Sequence, residues 1–157
     1  MTEFKGKTII SLNVNGDVYD VMVRPSDVLL DVLREQLGLT SAKAGCKNGD
    51  CGACTVMIDG WPAKSCLVLA VEAQNRKILT VEGLGGKAAV QKAFVEANAF
   101  QCGYCTSGFL MVCHALITQH PVIPDEIVIE EWLQSNLCRC TSYQEIRKAV
   151  HFIYDSL

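Results

Sequence analysis

The chain has 157 residues, of which 50% are hydrophobic and 20% are charged, and its formal net charge is -3. These values exclude a disordered chain and a protein that binds nucleic acid mainly through its phosphates. The length allows one ordinary domain or two small ones and excludes a large enzyme with several cofactors.

The first predicted elements are the two strands of a hairpin. Residues 7–14 (KTIISLNV) and 17–23 (DVYDVMV) are rich in β-branched side chains, and Asn15-Gly16 joins them. An Asn-Gly pair between two such runs is the strongest short-range signal of a β-hairpin. We therefore expect the chain to begin its fold with paired antiparallel strands.

A helix and two further strands follow the hairpin in the prediction. Apolar residues recur at helical spacing over residues 28–37, with Ser26 as the predicted N-cap and Gly38 as the stop. Residues 55–58 (TVMI) and 77–81 (KILTV) have the composition of short strands. The first eighty residues thus predict a β-β-α-β-β unit with a mixed sheet.

A glycine-rich segment marks the predicted domain boundary. Gly83, Gly85 and Gly86 fall within four residues, and the sequence beyond them has the periodicity of helices and no convincing strand. We therefore predict an N-terminal domain over residues 1–82 and a C-terminal domain over residues 83–157.

The second predicted domain contains four amphipathic helices, which is typical of a small bundle. Their predicted ranges are 88–97, 107–119, 125–134 and 143–154. Pro121 and Pro124 separate the second helix from the third. Ser142 and Glu145 have the spacing of a capping box at the start of the fourth.

Nine cysteines are the unusual feature of the composition. The first residues have no apolar run of the kind found in secretory signals, and no segment approaches the roughly 18 apolar residues of a membrane span. We therefore expect a cytoplasmic protein without a membrane span. In that reducing compartment, clustered cysteines are more often metal ligands or redox groups than disulfides.

The first cysteine group has the spacing C-x4-C-x2-C-x11-C. Its members are Cys46, Cys51, Cys54 and Cys66. This is the plant-type spacing for a 2Fe-2S cluster, in which one short loop and one distant residue surround a two-iron core. Gly45, Gly49 and Gly52 are expected to give the loop backbone freedom and to leave peptide N–H groups facing the sulfur atoms. A four-cysteine zinc site more commonly has two C-x2-C pairs, so zinc is the weaker alternative here.

The second cysteine group combines C-x2-C with C-x-C. Its members are Cys102, Cys105, Cys138 and Cys140. Two loops at one end of a helix bundle can bring four such ligands together, and Cys105 lies near a predicted helix N-terminus, which favours thiolates. The spacing alone leaves zinc open as an alternative, and the neighbouring plant-type loop favours a second 2Fe-2S cluster.

Three segments together resemble a known family. Residues 44–55 (AGCKNGDCGACT), 101–106 (QCGYCT) and 136–141 (NLCRCT) are similar to the motifs of the small iron–sulfur subunit of the molybdenum hydroxylases, the xanthine dehydrogenase and oxidase family. The resemblance spans nearly the whole chain. It implies an α+β fold, with an N-terminal β-grasp, ferredoxin-like 2Fe-2S domain and a C-terminal all-α four-helix 2Fe-2S-binding domain.

The same resemblance implies the ligands, the partners and the function. The first cysteine group would hold the ferredoxin-like cluster, and the second would hold the helical-domain cluster. Electrons would pass from a molybdopterin cofactor on a large subunit, through the two 2Fe-2S clusters, to FAD on a medium subunit. The chain itself would have no substrate-converting site, and the whole complex could dimerise.

Two positions match family residues that lie against the pterin. These are Gln101 and Cys140, so the resemblance implies a pterin contact for both. The chain departs from the family pattern nearby, because Ser107-Gly108 stands where Pro-Gly is usual and Ser142-Tyr143 where Gly-Tyr is usual. Serine is well tolerated in a first helical turn, so the departures affect the pterin-facing contact more than cluster binding.

The sequence is compatible with two alternative functions, and it leaves one cysteine outside both ligand sets. The first rival is a free-standing two-cluster ferredoxin, which would need a strongly charged docking surface that a net charge of -3 does not suggest. The second is a zinc-binding interaction module. Cys113, flanked by apolar residues on a predicted helix, is expected to be a buried small hydrophobe outside both ligand sets.

Overall fold

A five-stranded mixed sheet forms the first half of the computed structural model, which describes residues 6–156. The strands are β1 (Thr8–Val14), β2 (Asp17–Val23), β3 (Thr55–Ile58), β4 (Trp61–Lys64) and β5 (Lys77–Leu79). Their order across the sheet is β2-β1-β5-β3-β4, and only β1 and β5 are parallel. The mixed sheet expected from the sequence is confirmed.

The hairpin is also confirmed, and one strand appears that the sequence did not predict. Asn15 and Gly16 connect β1 to β2 with φ angles of 57° and 94°, as a tight hairpin turn requires. The unpredicted strand is β4, which contains Pro62 and lies at the edge of the sheet. An edge strand tolerates proline because one of its sides has no neighbour that needs an N–H donor.

The helix α1 runs from Leu29 to Asp31 and continues as a π-helical turn over Val32–Gln36. The prediction of Ser26 as the N-cap is wrong, because Val28 is the N-cap residue of α1. The backbone of Val28 pairs with Leu69, and Leu29 N donates to Val68 O at 2.8 Å. The backbone of another segment therefore satisfies the helix N-terminus, and no side-chain cap is needed.

Four helices make up the second half, as predicted. They are α2 (Ala89–Glu96), α3 (Thr106–Gln119), α4 (Glu126–Leu133) and α5 (Tyr143–Asp155). Ser142 is the N-cap residue of α5, but its hydroxyl contacts the Glu145 carboxylate and no backbone N–H. The predicted capping box is therefore only a side-chain pair.

Three apolar clusters hold these elements together. Leu12, Leu33 and other buried residues pack between the sheet and α1, whereas Phe109 is part of a larger core among the helices. A small third cluster, of Met57, Met111 and Ala115, joins β3 to α3. All four residues of β3 are buried, because the strand is covered on both faces.

Within residues 6–156, no helix has both the length and the apolar character that crossing a membrane requires.

Candidate iron–sulfur centres

The first cysteine group lies where the sheet meets the loop that follows α1. Cys46, Cys51 and Cys54 belong to the loop before β3, and Cys66 lies in a 3-10 turn directly after β4. Cys46 is exposed, whereas Cys54 and Cys66 are buried. The group therefore has one end at the surface and the other in the core.

Backbone N–H groups of the loop point at cysteine sulfur atoms. Cys46 N lies 3.4 Å from Cys51 Sγ, and Cys51 N lies 3.3 Å from Cys46 Sγ. The backbone N–H groups of Cys51 and Asn48 lower the pKa of Cys46 to about 6. Such donors stabilise sulfur-borne negative charge, so the loop is built to receive an anionic centre.

The buried end of the group has the opposite electrostatics. Burial raises the pKa of Cys66 to about 11, with the neighbouring Cys54 as the next cause. A bound cation deprotonates a coordinating thiol outright. If Cys66 coordinates iron, it would therefore lose its proton on binding, whereas the lowered pKa of Cys46 already favours the thiolate.

Two kinds of glycine shape this loop. Gly49 and Gly52 have φ angles of 91° and 70°, which is the left-handed region that was expected of them. Gly45 is different, because its φ is not positive and a Cβ there would lie 2.7 Å from Cys51 Sγ. The expectation of backbone freedom is thus wrong for Gly45. Glycine is needed there because a Cβ would collide with Cys51 Sγ.

The second cysteine group closes one end of the helix bundle. Cys102 and Cys105 precede α3, with Cys105 as its N-cap residue, and Cys138 and Cys140 lie in the loop between α4 and α5. All four line a cavity of about 190 Å³. Cys51 of the first group lines the same cavity, so the two groups are neighbours.

Within this group the cysteines form an outer and an inner pair. Cys102 and Cys140 are exposed, and a backbone hydrogen bond from Tyr104 lowers the pKa of Cys102. In the inner pair, burial raises the pKa of Cys105 to about 12, and the adjacent Cys138 adds to the shift. Burial thus raises the pKa of Cys105 as it does that of Cys66, whereas the exposed Cys140 differs from Cys46 because its hydrogen bond with Cys102 raises its pKa.

Two hydroxyls that follow Cys105 in the chain bear on whether an anionic cluster fits. Thr106 Oγ1 and Ser107 Oγ, directly after Cys105, are buried without a hydrogen-bond partner among the described residues. A hydroxyl in that position can donate to a sulfide. The hydroxyls, the thiols and the cavity fit an anionic, sulfur-bridged centre.

The loops of the two groups are tied together by hydrogen bonds. Leu137 N donates to Cys51 O at 2.9 Å, and Asn136 Nδ2 donates to Gly52 O at 3.3 Å. Asn136 is fully buried. A Cβ on Gly108, in the first turn of α3, would lie 2.2 Å from Gly52 O. Backbone therefore packs against backbone where the two sites meet.

Sequence reasoning missed three residues of this contact: Lys64, Gly108 and Asn136. Lys64 Nζ donates to Asn136 Oδ1 at 2.9 Å across 72 positions of sequence. The one available signal was the position of Asn136, two residues before Cys138. Nothing in the spacing of Lys64 connects it to either cysteine group.

Comparison with known proteins gives the family. Residues 12–80 match the model of the 2Fe-2S iron-sulfur cluster binding domain, and residues 80–151 match that of the 2Fe-2S binding domain. The nicotinate dehydrogenase small FeS subunit of Eubacterium barkeri is 44% identical over 149 residues, 93% of this chain and 94% of that protein. The nicotine 6-hydroxylase small subunit of Paenarthrobacter nicotinovorans is 46% identical over 143 residues, 90% of this chain and 86% of its own.

A solved structure agrees with these sequence matches. Quinoline 2-oxidoreductase from Pseudomonas putida 86 contains a chain that superposes with a TM-score of 0.89 at 41% identity, covering 96% of both chains. The chain belongs to the small iron–sulfur subunits of the molybdenum hydroxylase family.

As a small iron–sulfur subunit, the chain binds two 2Fe-2S clusters and transfers electrons within a multisubunit oxidoreductase. The α+β fold predicted for it, with a ferredoxin-like part followed by a helical part, is confirmed. Cys113 is fully buried in the helical core of the subunit, and that burial raises its pKa to about 12. Gln101 and Cys140 are both exposed.

Proposed function

We propose that this subunit carries electrons from a molybdopterin centre on a large subunit to FAD on a medium subunit. The electrons enter at the helical-domain cluster and leave from the ferredoxin-like cluster. One observation carries the proposal: each cysteine group has an exposed end, and the loops of the two groups meet through the Leu137 N to Cys51 O hydrogen bond. Electrons can enter at the exposed end of one group, cross where the two loops are hydrogen-bonded, and leave at the exposed end of the other.

The proposal includes a ligand set for each cluster. Cys46, Cys51, Cys54 and Cys66 would hold the ferredoxin-like cluster, supported by their plant-type spacing and by the N–H groups aimed at Cys46 and Cys51. Cys102, Cys105, Cys138 and Cys140 would hold the helical-domain cluster, supported by the cavity that all four line. The proposed domain ranges are 1–82 and 83–157, which separate the sheet core from the helical core.

The chain contributes position and electrostatics to this chemistry. Each cluster, when bound, supplies a centre that accepts and releases one electron at a time. The backbone N–H groups of the first loop stabilise negative charge on sulfur, and burial of Cys54 and Cys66 keeps water from the inner side. These contributions set the reduction potential without any chemistry on a substrate.

The surface around Gln101 and Cys140 is proposed to face the pterin. Both residues are exposed, at the open end of the helical-domain group. An amide side chain there offers both donors and an acceptor to a pterin ring. Cysteine usage also supports a cytoplasmic assembly, because clustered cysteines that serve as metal ligands are typical of a reducing compartment. We include dimerisation of the whole assembly in the proposal.

The experiment is purification of the native assembly under anaerobic conditions, with the wild-type chain and with Gln101→Leu. The wild-type chain should purify with larger molybdenum and flavin chains and contain about four irons and four acid-labile sulfides. Gln101→Leu should retain both clusters but slow their reduction by substrate at least several-fold, measured by stopped-flow absorbance.

The alternatives give different results in the same experiment. A free-standing ferredoxin would purify alone with its iron and sulfide complete. A zinc module would contain zinc without sulfide. Unchanged substrate-driven reduction in Gln101→Leu would remove Gln101 from the electron entry site and leave the ligand assignment intact.

A further inference from the structure

Lys64 lies between the two cysteine groups. It is the last residue of β4, two positions before Cys66, and its side chain is only partly exposed. Lys64 Nζ donates to Asn136 Oδ1 at 2.9 Å, to Thr55 Oγ1 at 3.5 Å and to Ser135 O. All three acceptors are neutral oxygens. Within the described part of the chain, no carboxylate lies within 4 Å of this ammonium.

The structure holds the ammonium in this position. Asn136, which accepts its hydrogen bond, is fully buried and is itself fixed to Gly52 O by its amide nitrogen. A Cβ on Gly52 would lie 2.7 Å from Lys64 Nζ. The charge is therefore placed by contacts from both halves of the chain, against the loop that carries Cys51 and Cys54.

The ammonium lies beside the first cysteine group. Lys64 is two residues before Cys66, and its Nζ lies 3.5 Å from Oγ1 of Thr55, the residue directly after Cys54. Lys47 is a contrasting case, because its exposed ammonium forms an ion pair with Asp31 at 3.0 Å. Among the described residues, Lys64 is thus an ammonium without a carboxylate partner, held against the loop that carries Cys51 and Cys54.

A cation in this position affects reduction. Reduction adds one negative charge to a cluster, and a nearby fixed cation stabilises the reduced form more than the oxidised form. Partial burial weakens screening by salt, so the effect persists at physiological ionic strength. The reduction potential of the ferredoxin-like cluster should therefore be higher with Lys64 than without it.

We propose that Lys64 is a positioning residue for electron transfer: held by Asn136 between the two sites, its positive charge raises the reduction potential of the ferredoxin-like cluster and makes that cluster the favoured acceptor. The direction of flow rests on the proposed function. In the step concerned, one electron leaves the reduced helical-domain cluster, which is oxidised, and enters the ferredoxin-like cluster, which is reduced. No bond forms or breaks, and no proton moves.

The test is an EPR-monitored redox titration of both clusters in the purified holo-complex. Lys64→Gln removes the charge and keeps an N–H donor for Asn136. At a fixed ambient potential, it should lower the ratio of reduced to oxidised ferredoxin-like cluster about tenfold, which is 59 mV for a one-electron couple. The helical-domain cluster should shift less. Lys64→Arg keeps the charge and should give wild-type midpoints.

Lys77→Met is the matched control. Lys77 is exposed on β5 and borders a different cavity, whose lining contains no cysteine. Its loss therefore changes the net charge equally without removing a charge from beside the cluster, and it should leave both midpoints unchanged. Iron and sulfide content verifies assembly, and Lys64→Met serves as the second charge-free variant if Lys64→Gln loses iron.

Four results would overturn the proposal. Three concern the midpoints: no change in both charge-free variants, an equal shift in Lys77→Met, or a midpoint in Lys64→Arg as low as that in Lys64→Gln. Loss of clusters from both charge-free variants but not from Lys64→Arg would also overturn it, because Lys64 would then be required for assembly. Failure of the proposed function is distinguishable, since a chain that purifies without flavin and molybdenum partners still has two midpoints to measure.

Discussion

The two cysteine groups each combine exposed and less exposed thiols, but they differ in how much of the site one segment of the chain supplies. The first draws three cysteines from one loop anchored between α1 and β3, and two of its four cysteines are buried. The second draws two cysteines from each of two loops, and none of its four is fully buried. The first site is thus formed largely by its own module, whereas the second depends on contacts outside the bundle.

The dependence is visible at Asn136. This residue opens the loop that carries Cys138 and Cys140, and its side chain is fixed by Gly52 and Lys64 of the sheet module. Leu137 N is likewise bonded to Cys51 O. The helical-domain loop therefore takes its shape from the ferredoxin-like loop. A substitution that disrupts the first site should therefore also disrupt the second, whereas a substitution in the second site should affect the first less.

Gly52→Ala gives the largest expected effect. A Cβ there would lie 1.9 Å from Asn136 Oδ1, and the φ of 70° is unfavourable for alanine. Backbone strain and overpacking together should cost about 3 to 5 kcal/mol of stability. We expect loss of both clusters, measured by iron and sulfide content, and a large drop in Tm.

Gly60→Ala is the control for Gly52→Ala. Gly60 also has a positive φ, of 85°, but a Cβ there meets nothing within 4 Å. It should cost only about 1 kcal/mol and leave the clusters in place. Equal cluster loss in both variants would show that strain in any turn of the sheet module destroys the sites, and the contact with Asn136 would not be decisive.

Asn136→Ala should have an intermediate and asymmetric effect. It removes the hydrogen bonds from Asn136 to Gly52 O and from Lys64 Nζ to Asn136, while both atoms keep partners in Thr55 or Ser135, so the loss costs roughly 1 to 2 kcal/mol. We expect the helical-domain cluster to be lost first and the ferredoxin-like cluster to remain, as two resolved EPR signals would show. Loss of the ferredoxin-like signal first would reverse the dependence described above.

Cys113→Ala gives the smallest expected effect. Cys113 is fully buried in the helical core and lines neither site in the described structure. Removing its sulfur should cost about 1 kcal/mol through lost packing and keep both clusters. Loss of either EPR signal in Cys113→Ala would mean that the division of the nine cysteines into two sets of four and one bystander is wrong.

Local signals in the sequence account for most of the fold. Asn15-Gly16 predicts the hairpin, and apolar periodicity predicts all four later helices to within about two residues. The failures have tertiary causes. Ser26 is not the N-cap because Leu69 pairs with Val28, and β4 was not predicted because a strand containing Pro62 is stable only at a sheet edge.

In the candidate sites, too, the local sequence predicts some residues, and others are recognised only from tertiary contacts. Cysteine spacing predicts both ligand sets, because ligands of one cluster must be close in sequence or at matched loop positions. Lys64 and Asn136 could not be predicted, since they are 72 positions apart and meet only when the sheet packs on the bundle. The role of Gly45 was also hidden, because the space it leaves for Cys51 Sγ exists only in the folded loop.

The small cluster of Met57, Met111 and Ala115 has a consequence for how the chain folds. Because Met57 covers the outer side of β3 against α3, neither half can leave the other without exposing an apolar strand face to water. An uncovered apolar strand face promotes association between chains. The two halves should therefore melt as one cooperative unit, and insertion of a cluster into either half should protect the backbone amides of the other from hydrogen exchange.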